Sequence, residues 1–158
     1  MYYINYFFIF SIIGHLVESA LFKESGILFG YWTPVYGFGA VIILIINKML
    51  KNIKASTFKK ILLLFFSCFI FLSLIEAIGG YLIKWIFNAE LWDYSKLKFH
   101  IGKYVSLEIA TIWGLCSILL IYILKPMFDK IVKKIPNFIT GIFIILFLID
   151  NIYTLILK

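Results

Sequence analysis

The sequence contains no arginine: all 15 basic residues are lysines, set against eight acids, for a formal net charge of +7. Charge is scarce altogether. Only 15% of the 158 residues are charged and 63% are apolar, where soluble domains run at about 25% and about 45–50%. A water-soluble globular domain is thereby excluded. The two cysteines, Cys68 and Cys116, lie singly inside apolar runs without metal-ligand spacing and read as small core residues. No GxxxxGK loop and no RNA-binding signature occurs, so neither a nucleotide-driven motor nor a nucleic-acid partner is expected. The first apolar stretch carries no lysine before it and ends in Glu18-Ser19-Ala20-Leu21-Phe22, not in a small-residue cleavage site. It reads as a span and not as a removable signal peptide.

What the sequence has in abundance is apolar length. Mean hydropathy is +1.03, and the chain is long enough for one integral membrane domain, residues 1–158. A helix needs about 20 mostly apolar residues to cross the hydrocarbon core. Five runs qualify, 3–22, 27–50, 61–87, 104–124 and 138–157, and none shows the alternation of a barrel strand. The expected fold is all-α: a polytopic bundle of about five transmembrane helices, the second broken by Gly30, Pro34, Gly37 and Gly39. Irregular backbone at membrane depth belongs where it is buried in protein or lines a cavity.

Lysine placement orients the bundle. Lys48, Lys51, Lys54, Lys59 and Lys60 follow the second run, and Lys125, Lys130, Lys133 and Lys134 follow the fourth. Both groups are expected in the cytoplasm, with the N-terminus inside and the C-terminus outside. The loops at 23–33 and 88–103 then face outward, with Tyr31, Trp32, Trp85, Trp92, Tyr94 and Tyr104 near the outer interface. Lysine-only basic content, with many Ile, Asn and Phe residues, suggests an AT-rich bacterial genome, hence a bacterial cytoplasmic (inner) membrane.

An ionisable group inside a span costs about 2.5–3.5 kcal/mol on insertion scales and is a functional candidate by default. Glu18, Glu76, Glu108 and Asp150 come from four different spans, and Asp93 from a loop. On the expected topology all five fall toward the outer side, with Glu24 and Glu90 in the loops there and Asp129 alone in the cytoplasm. Helical spacing puts Ser11, His15 and Glu18 on one stripe, Ser73, Glu76 and Gly80 on another, and Glu108 with Thr111 on a third. Such stripes turn away from lipid. The expectation is an acidic, outward-facing polar cavity. The structural alternative pairs each acid with a lysine, Glu76 with Lys84 or Glu108 with Lys103. Zinc or diiron would need a second His–acid pair beside His15 and Glu18, and none is present, so no metal or other cofactor is expected. No serine is marked as a nucleophile by a neighbouring base.

Several phrases resemble one bacterial membrane family along nearly the whole chain. They are Ile13-Gly14-His15-Leu16-Val17-Glu18, Gly30 with Pro34-Val35-Tyr36-Gly37-Phe38-Gly39, then Glu76, Leu91-Trp92-Asp93-Tyr94-Ser95 and Trp113-Gly114. The family is the putative ABC-transporter permease type IV. Two departures stand out: Gly30-Tyr31 where members usually have Gly-Pro, and His100 and Lys103 where they usually carry Asn and Arg. The resemblance implies a transporter subunit and singles out Glu18, Pro34, Tyr36, Gly37, Glu76, Trp92, Asp93 and Tyr94.

The expected function is a small permease or permease component moving a cation or small polar solute. Its binding or translocation residues are Glu18, His15, Pro34, Tyr36, Gly37, Glu76, Trp92, Asp93, Tyr94, Glu108 and Asp150. Expected partners are the lipid bilayer, a separately encoded ATPase or other membrane subunit, or further copies of the chain. Two other readings compete. One is a non-catalytic partner subunit whose acids lock the bundle. The other is a membrane-embedded enzyme acting on a lipid or envelope substrate, with Asp93 or Glu18 as base and His15 or Tyr94 as auxiliary donor.

Overall fold

A computed structural model describes residues 1–22 and 26–157. Lys23 and Glu24, assigned above to an outward loop, lie outside the described residues. The helices are α1 (Tyr2–Phe22), α2 (Pro34–Lys51), α3 (Thr57–Phe87), α4 (Leu107–Leu119), α5 (Lys125–Val132) and α6 (Asn137–Leu157). A π-helical turn, Leu120–Leu124, joins α4 to α5, and a two-stranded antiparallel ribbon, β1 (His100–Ile101) with β2 (Val105–Ser106), precedes α4. Five helical segments are long and apolar enough to span a bilayer, counting Leu107–Val132 as one. The chain is a multi-pass membrane protein.

Four boundaries differ from the sequence expectation, among them the start of α3 at Thr57 and not at residue 61, each for a local reason. The second span starts at Pro34, not at residue 27; proline has no N–H to offer but its fixed φ suits the first helical turn. Gly37 and Gly39 lie within regular helix, and the irregular backbone is the lead-in before Pro34. The fourth span starts at Leu107, where Ser106 caps it by accepting from the Ile109 N–H at 3.1 Å, and runs on to Val132. Pro126 does not stop it, because the π turn just before absorbs the missing donor. Lys125 and Lys130 are therefore helical and not loop residues. At 31 residues, α3 is about 46 Å long, more than the roughly 30 Å of hydrocarbon it must cross. It opens on a Ser56 cap and closes on Asn88 in the left-handed conformation (φ 49°).

The chain divides into two compact units, Met1–Val41 with Phe128–Lys158, and Ile42–Met127. In the first, α1 and α6 run in the same direction along an aromatic seam. Phe8 meets Phe143 and Phe147 at ring-centroid distances of 5.5 and 5.8 Å, and Phe10 meets Phe128 at 5.3 Å. One end is tied by polar bonds: the Tyr2 and Tyr6 hydroxyls donate to Asp129 at 2.5 and 2.9 Å, and Thr140 donates to Asn5 at 2.6 Å. In the second unit α3 packs on α4 around buried Leu64, Cys68, Leu72 and Ala110. Phe65 covers Gly114 so closely that an added Cβ would lie 2.6 Å from the ring. Outward faces are apolar, with Phe66, Ile70, Leu74 and Ile78 exposed along α3 and Ile142, Ile145, Ile149 and Ile152 along α6, as lipid-facing surfaces are.

Among the predicted interface aromatics, Trp85 and Tyr31 are exposed, whereas Trp32 and Tyr104 are buried. The latter two are packing residues, drawn inside by glycines. Helices in lipid gain no hydrophobic drive to associate, so close fit carries the association, and glycine positions should be unforgiving where the gap is filled by backbone. At Gly37 an added Cβ would meet the Ser11 hydroxyl and lie 2.5 Å from the Phe7 carbonyl oxygen, whereas at Gly141 it would meet nothing within 4 Å. Gly37→Ala should cost about 1–3 kcal/mol of unfolding free energy, and Gly141→Ala should be near neutral, measured by denaturant titration of the detergent-solubilised protein. Equal effects at the two positions would contradict this packing.

Candidate functional site

Each unit has its own polar cluster. In the first, the lead-in to α2 carries the connection. The Asp150 carboxylate on α6 accepts the backbone N–H groups of Phe29 (3.0 Å) and Gly30 (2.8 Å) and the Trp32 indole N–H (2.6 Å). Gly30 is required there because a side chain would run into the Trp32 ring, 2.5 Å from an added Cβ. The Thr33 N–H then reaches the Ser11 carbonyl of α1 at 3.0 Å, and Pro34 starts the helix. Two residues on, the Tyr36 hydroxyl donates to Glu18 at 2.9 Å while its ring presses on Gly14, one turn before Glu18 on α1. Gly14 thus receives the Tyr36 ring, while Gly37 lets α2 close on Ser11 and Phe7 of α1. The His15 ring meets the Tyr31 ring edge-on at 5.4 Å, and its Nδ1 has no hydrogen-bond partner among the described residues.

The second cluster forms where α3 and α4 meet the 88–106 connection. Glu76 is buried on the α3 stripe with Ser73 and Gly80, as the spacing predicted. Its carboxylate accepts the Tyr94 hydroxyl at 2.9 Å, and the Trp113 indole of α4 interacts with the same carboxyl. In this cluster, as in the first, the tyrosine follows its glutamate by 18 residues. One turn along α3, Trp92 lies over Gly79 and Tyr104 over Gly80, where an added Cβ would come within 2.5 Å of the tyrosine ring. The Trp92 and Tyr104 rings stand 6.2 Å apart at 74°. Glu108, in the first turn of α4, accepts the Phe99 N–H at 3.2 Å, and its Oε2 is buried without a hydrogen-bond partner among the described residues. Trp92 Nε1 and Glu76 Oε2 are likewise buried and unbonded.

Outside this cluster, the connection is held by ions. Lys103 bonds Glu90 at 2.6 Å and approaches Asp93 at 3.6 Å, while Lys84 reaches Glu90 at 3.2 Å. Asp93 folds onto its own turn, accepting the Ser95 N–H at 2.9 Å, and the Tyr94 N–H bonds the Lys103 carbonyl at 2.8 Å. Gly102 (φ 65°) makes the tight turn between β1 and β2. Both lysines that sequence reasoning offered to Glu76 and Glu108 are thus engaged with Glu90 and Asp93 instead.

The expected residues therefore separate by the company they keep. Glu18 joins Tyr36, with Gly37 and Pro34 shaping the approach. Glu76 joins Tyr94 and Trp92. Asp150 is surrounded by donors from its own unit and acts as an anchor for the segment at 29–32. Asp93 is an exposed turn residue. Sequence reasoning missed the Asp129 clasp, whose signal was the i, i+4 spacing of Tyr2 and Tyr6, the covering ring of Tyr104, which announces itself only through Gly80, and the Trp113 indole beside Glu76. Among the described residues no group of three or more His, Cys, Asp or Glu is placed to hold a metal ion.

Compared with known proteins, residues 5–155 match the model of the family described as putative ABC-transporter type IV. No curated protein and no solved structure matches the chain.

Two predictions follow from the anchors. Asp150→Asn removes the charge that three donors converge on, and should cost about 1.5–3 kcal/mol, read by denaturant titration with Trp32 emission as the probe; an unchanged midpoint would mean the lead-in is held by other contacts. The loop clasp should be pH-dependent at both extremes. Hydrogen bonding to Lys103, then Lys84, holds Glu90 below its ordinary 4.5. Ser95 first, then Lys103, holds Asp93 below its ordinary 3.8, and Glu90 raises Lys103 above its ordinary 10.5. The carboxylates' contribution is complete above those ordinary acid values and is lost as pH falls through the lowered ones. The lysine's is complete below 10.5 and is lost as pH rises through its raised one. Trp92 emission and hydrogen exchange over 90–103 should be flat between pH 4.5 and 10.5 and change outside that window. A transition near neutrality would contradict the clasp.

Proposed function

The chain belongs to the putative ABC-transporter type IV family, and from that premise we propose that it is a small integral membrane permease or permease component, moving a cation or small polar solute. The observation that carries this reading is Glu76: a carboxylate 6% exposed, inside a span, held by a neutral hydroxyl and not by a lysine. A carboxylate kept only for structure at that depth would be cheaper to replace with an apolar residue, since buried ion-bearing groups are weak stabilisers. Retaining it with neutral donors leaves a negative site available to an arriving cation. The Tyr36 hydroxyl on Glu18 repeats the tyrosine–glutamate bond in the other unit, and within the unit of Glu76 the buried Trp92 Nε1 and Glu108 Oε2 have no hydrogen-bond partner among the described residues.

The lysines support an inward N-terminus. Lys51, Lys54 and Lys59 are exposed around the α2–α3 turn, and Lys133 and Lys134 around the α5–α6 turn, so both turns face the cytoplasm on this reading of a bacterial inner membrane. An exported phosphatase reporter should then be inactive when fused after Lys54 and active after Lys96; the opposite pattern would invert the topology. The family description points to a separately encoded ATPase as the energising partner.

A second reading, that of a partner subunit without its own solute path, draws on Asp150 and Asp129, whose oxygens are taken up by donors of the same chain. The two readings part at Glu76. In cells producing the chain with its genomic neighbours, Glu76→Gln should abolish uptake of the transported member of a panel of inorganic cations, amines, amino acids and sugars, while membrane insertion stays normal. Full uptake by the variant would remove Glu76 from the mechanism and favour the partner reading.

A further inference from the structure

The surroundings of Glu76 narrow the class of solute, an argument that rests on reading Glu76 as a solute-contacting group. One carboxylate oxygen takes the Tyr94 hydroxyl. The other is buried and makes no hydrogen bond among the described residues. No ammonium among the described residues is paired with it: Lys84, two turns along α3, is paired with Glu90, and Lys103 with Glu90 and Asp93. A buried carboxylate without a countercharge calls for one.

Hard inorganic cations want a shell of several oxygens. Here the carboxylate is accompanied by the Tyr94 hydroxyl and the Trp113 indole, whose N–H donates and cannot ligate, and no cluster of metal-binding side chains exists among the described residues. Aromatic surface is what surrounds it instead: the Trp92 and Tyr104 rings lie over the glycines of the next turn, Tyr94 is on the carboxylate, and Trp113 is beside it. Aromatic faces attract a positive charge carried on carbon or nitrogen substituents, and the attraction grows when water is excluded. An N–H on that cation supplies Glu76 with the charged donor it lacks among the described residues.

We propose that Glu76, with Trp92, Tyr94, Tyr104 and Trp113, recognises a small organic ammonium ion bearing at least one N–H. The ammonium donates to the open carboxylate oxygen and rests its substituents against the rings. Entry requires the 92–94 segment to lift from α3, which exchanges the Tyr94–Glu76 bond for the ammonium–Glu76 bond.

The test is tryptophan emission of the purified full-length chain in detergent, titrated with methylammonium chloride, tetramethylammonium chloride, potassium chloride and acetamide. Methylammonium should give a saturable change that tetramethylammonium and potassium do not match. Glu76→Gln should weaken it by on the order of a hundredfold. Where Glu76→Gln does not fold, Trp92→Leu should weaken binding about tenfold, and Trp92→Phe, which keeps a ring, much less. A potassium response equal to that of methylammonium, dependent on Glu76, would overturn the organic class and leave the cation reading standing. Saturable binding of acetamide alone would overturn the ammonium and leave a small polar solute. No Glu76-dependent response to any of the four, in a chain whose uptake Glu76→Gln still abolishes, would equally overturn the ammonium assignment while sparing the permease. Loss of neither binding nor uptake in Glu76→Gln would overturn both.

Discussion

A charge buried among helices must be matched from within, and this chain matches its buried carboxylates with neutral donors. Buried Asp150 is met by two backbone N–H groups and an indole, and buried Glu76 by a phenol with an indole beside it, while the half-buried Asp129 and Glu18 also accept phenol hydroxyls. Lys84 and Lys103 are spent on the exposed clasp around Glu90. The rest of the architecture is arranged around that restriction. To deliver three donors to Asp150, the chain has to leave helical geometry before Pro34, and to bring Tyr94 to Glu76 it has to lay part of the 88–106 connection back along α3.

Such delivery works only if rings and backbones come close, and glycine makes the room. Gly14 receives Tyr36, Gly30 receives Trp32, and Gly80 receives Tyr104. In each case the ring belongs to a residue that is itself a donor to a carboxylate or stands beside one. Packing and polar satisfaction are therefore one requirement: widening the groove at Gly14 would loosen the ring and lengthen the hydroxyl bond to Glu18 together. In lipid, where apolar side chains gain nothing by leaving their solvent, such shape fit and interhelical hydrogen bonding are the available forces.

Most of the fold was legible in the sequence because apolar length and lysine-marked ends are one-dimensional signals. The five spans and the buried stripe at Ser73, Glu76 and Gly80 could be read from spacing. Two things could not. The start of α2 at Pro34 and the run of α4 through Pro126 depend on whether a proline's missing donor falls where no helical bond is needed, which composition does not reveal. The division among the acids was also hidden. Asp150 and Glu76 look alike as single carboxylates in apolar runs, and only the three-dimensional path of residues 29–32 shows that one is filled by the chain while the other keeps an open oxygen.

The kind of donor matters as much as its presence. A lysine at Glu76 would have made a permanent internal ion pair, and an arriving cation would have had to displace a like charge from a desolvated carboxylate. A tyrosine hydroxyl contributes a hydrogen bond of modest net strength and leaves the charge itself uncancelled, so a cation gains more from Glu76 than Tyr94 loses by letting go. Because Tyr94 belongs to the connection stapled at Lys103 through Glu90 and Asp93, its release is a movement of a tethered segment, not of a free side chain. On the proposed reading the exposed ionic clasp and the buried bond divide two tasks: the clasp would keep the segment attached while the hydroxyl lets it open.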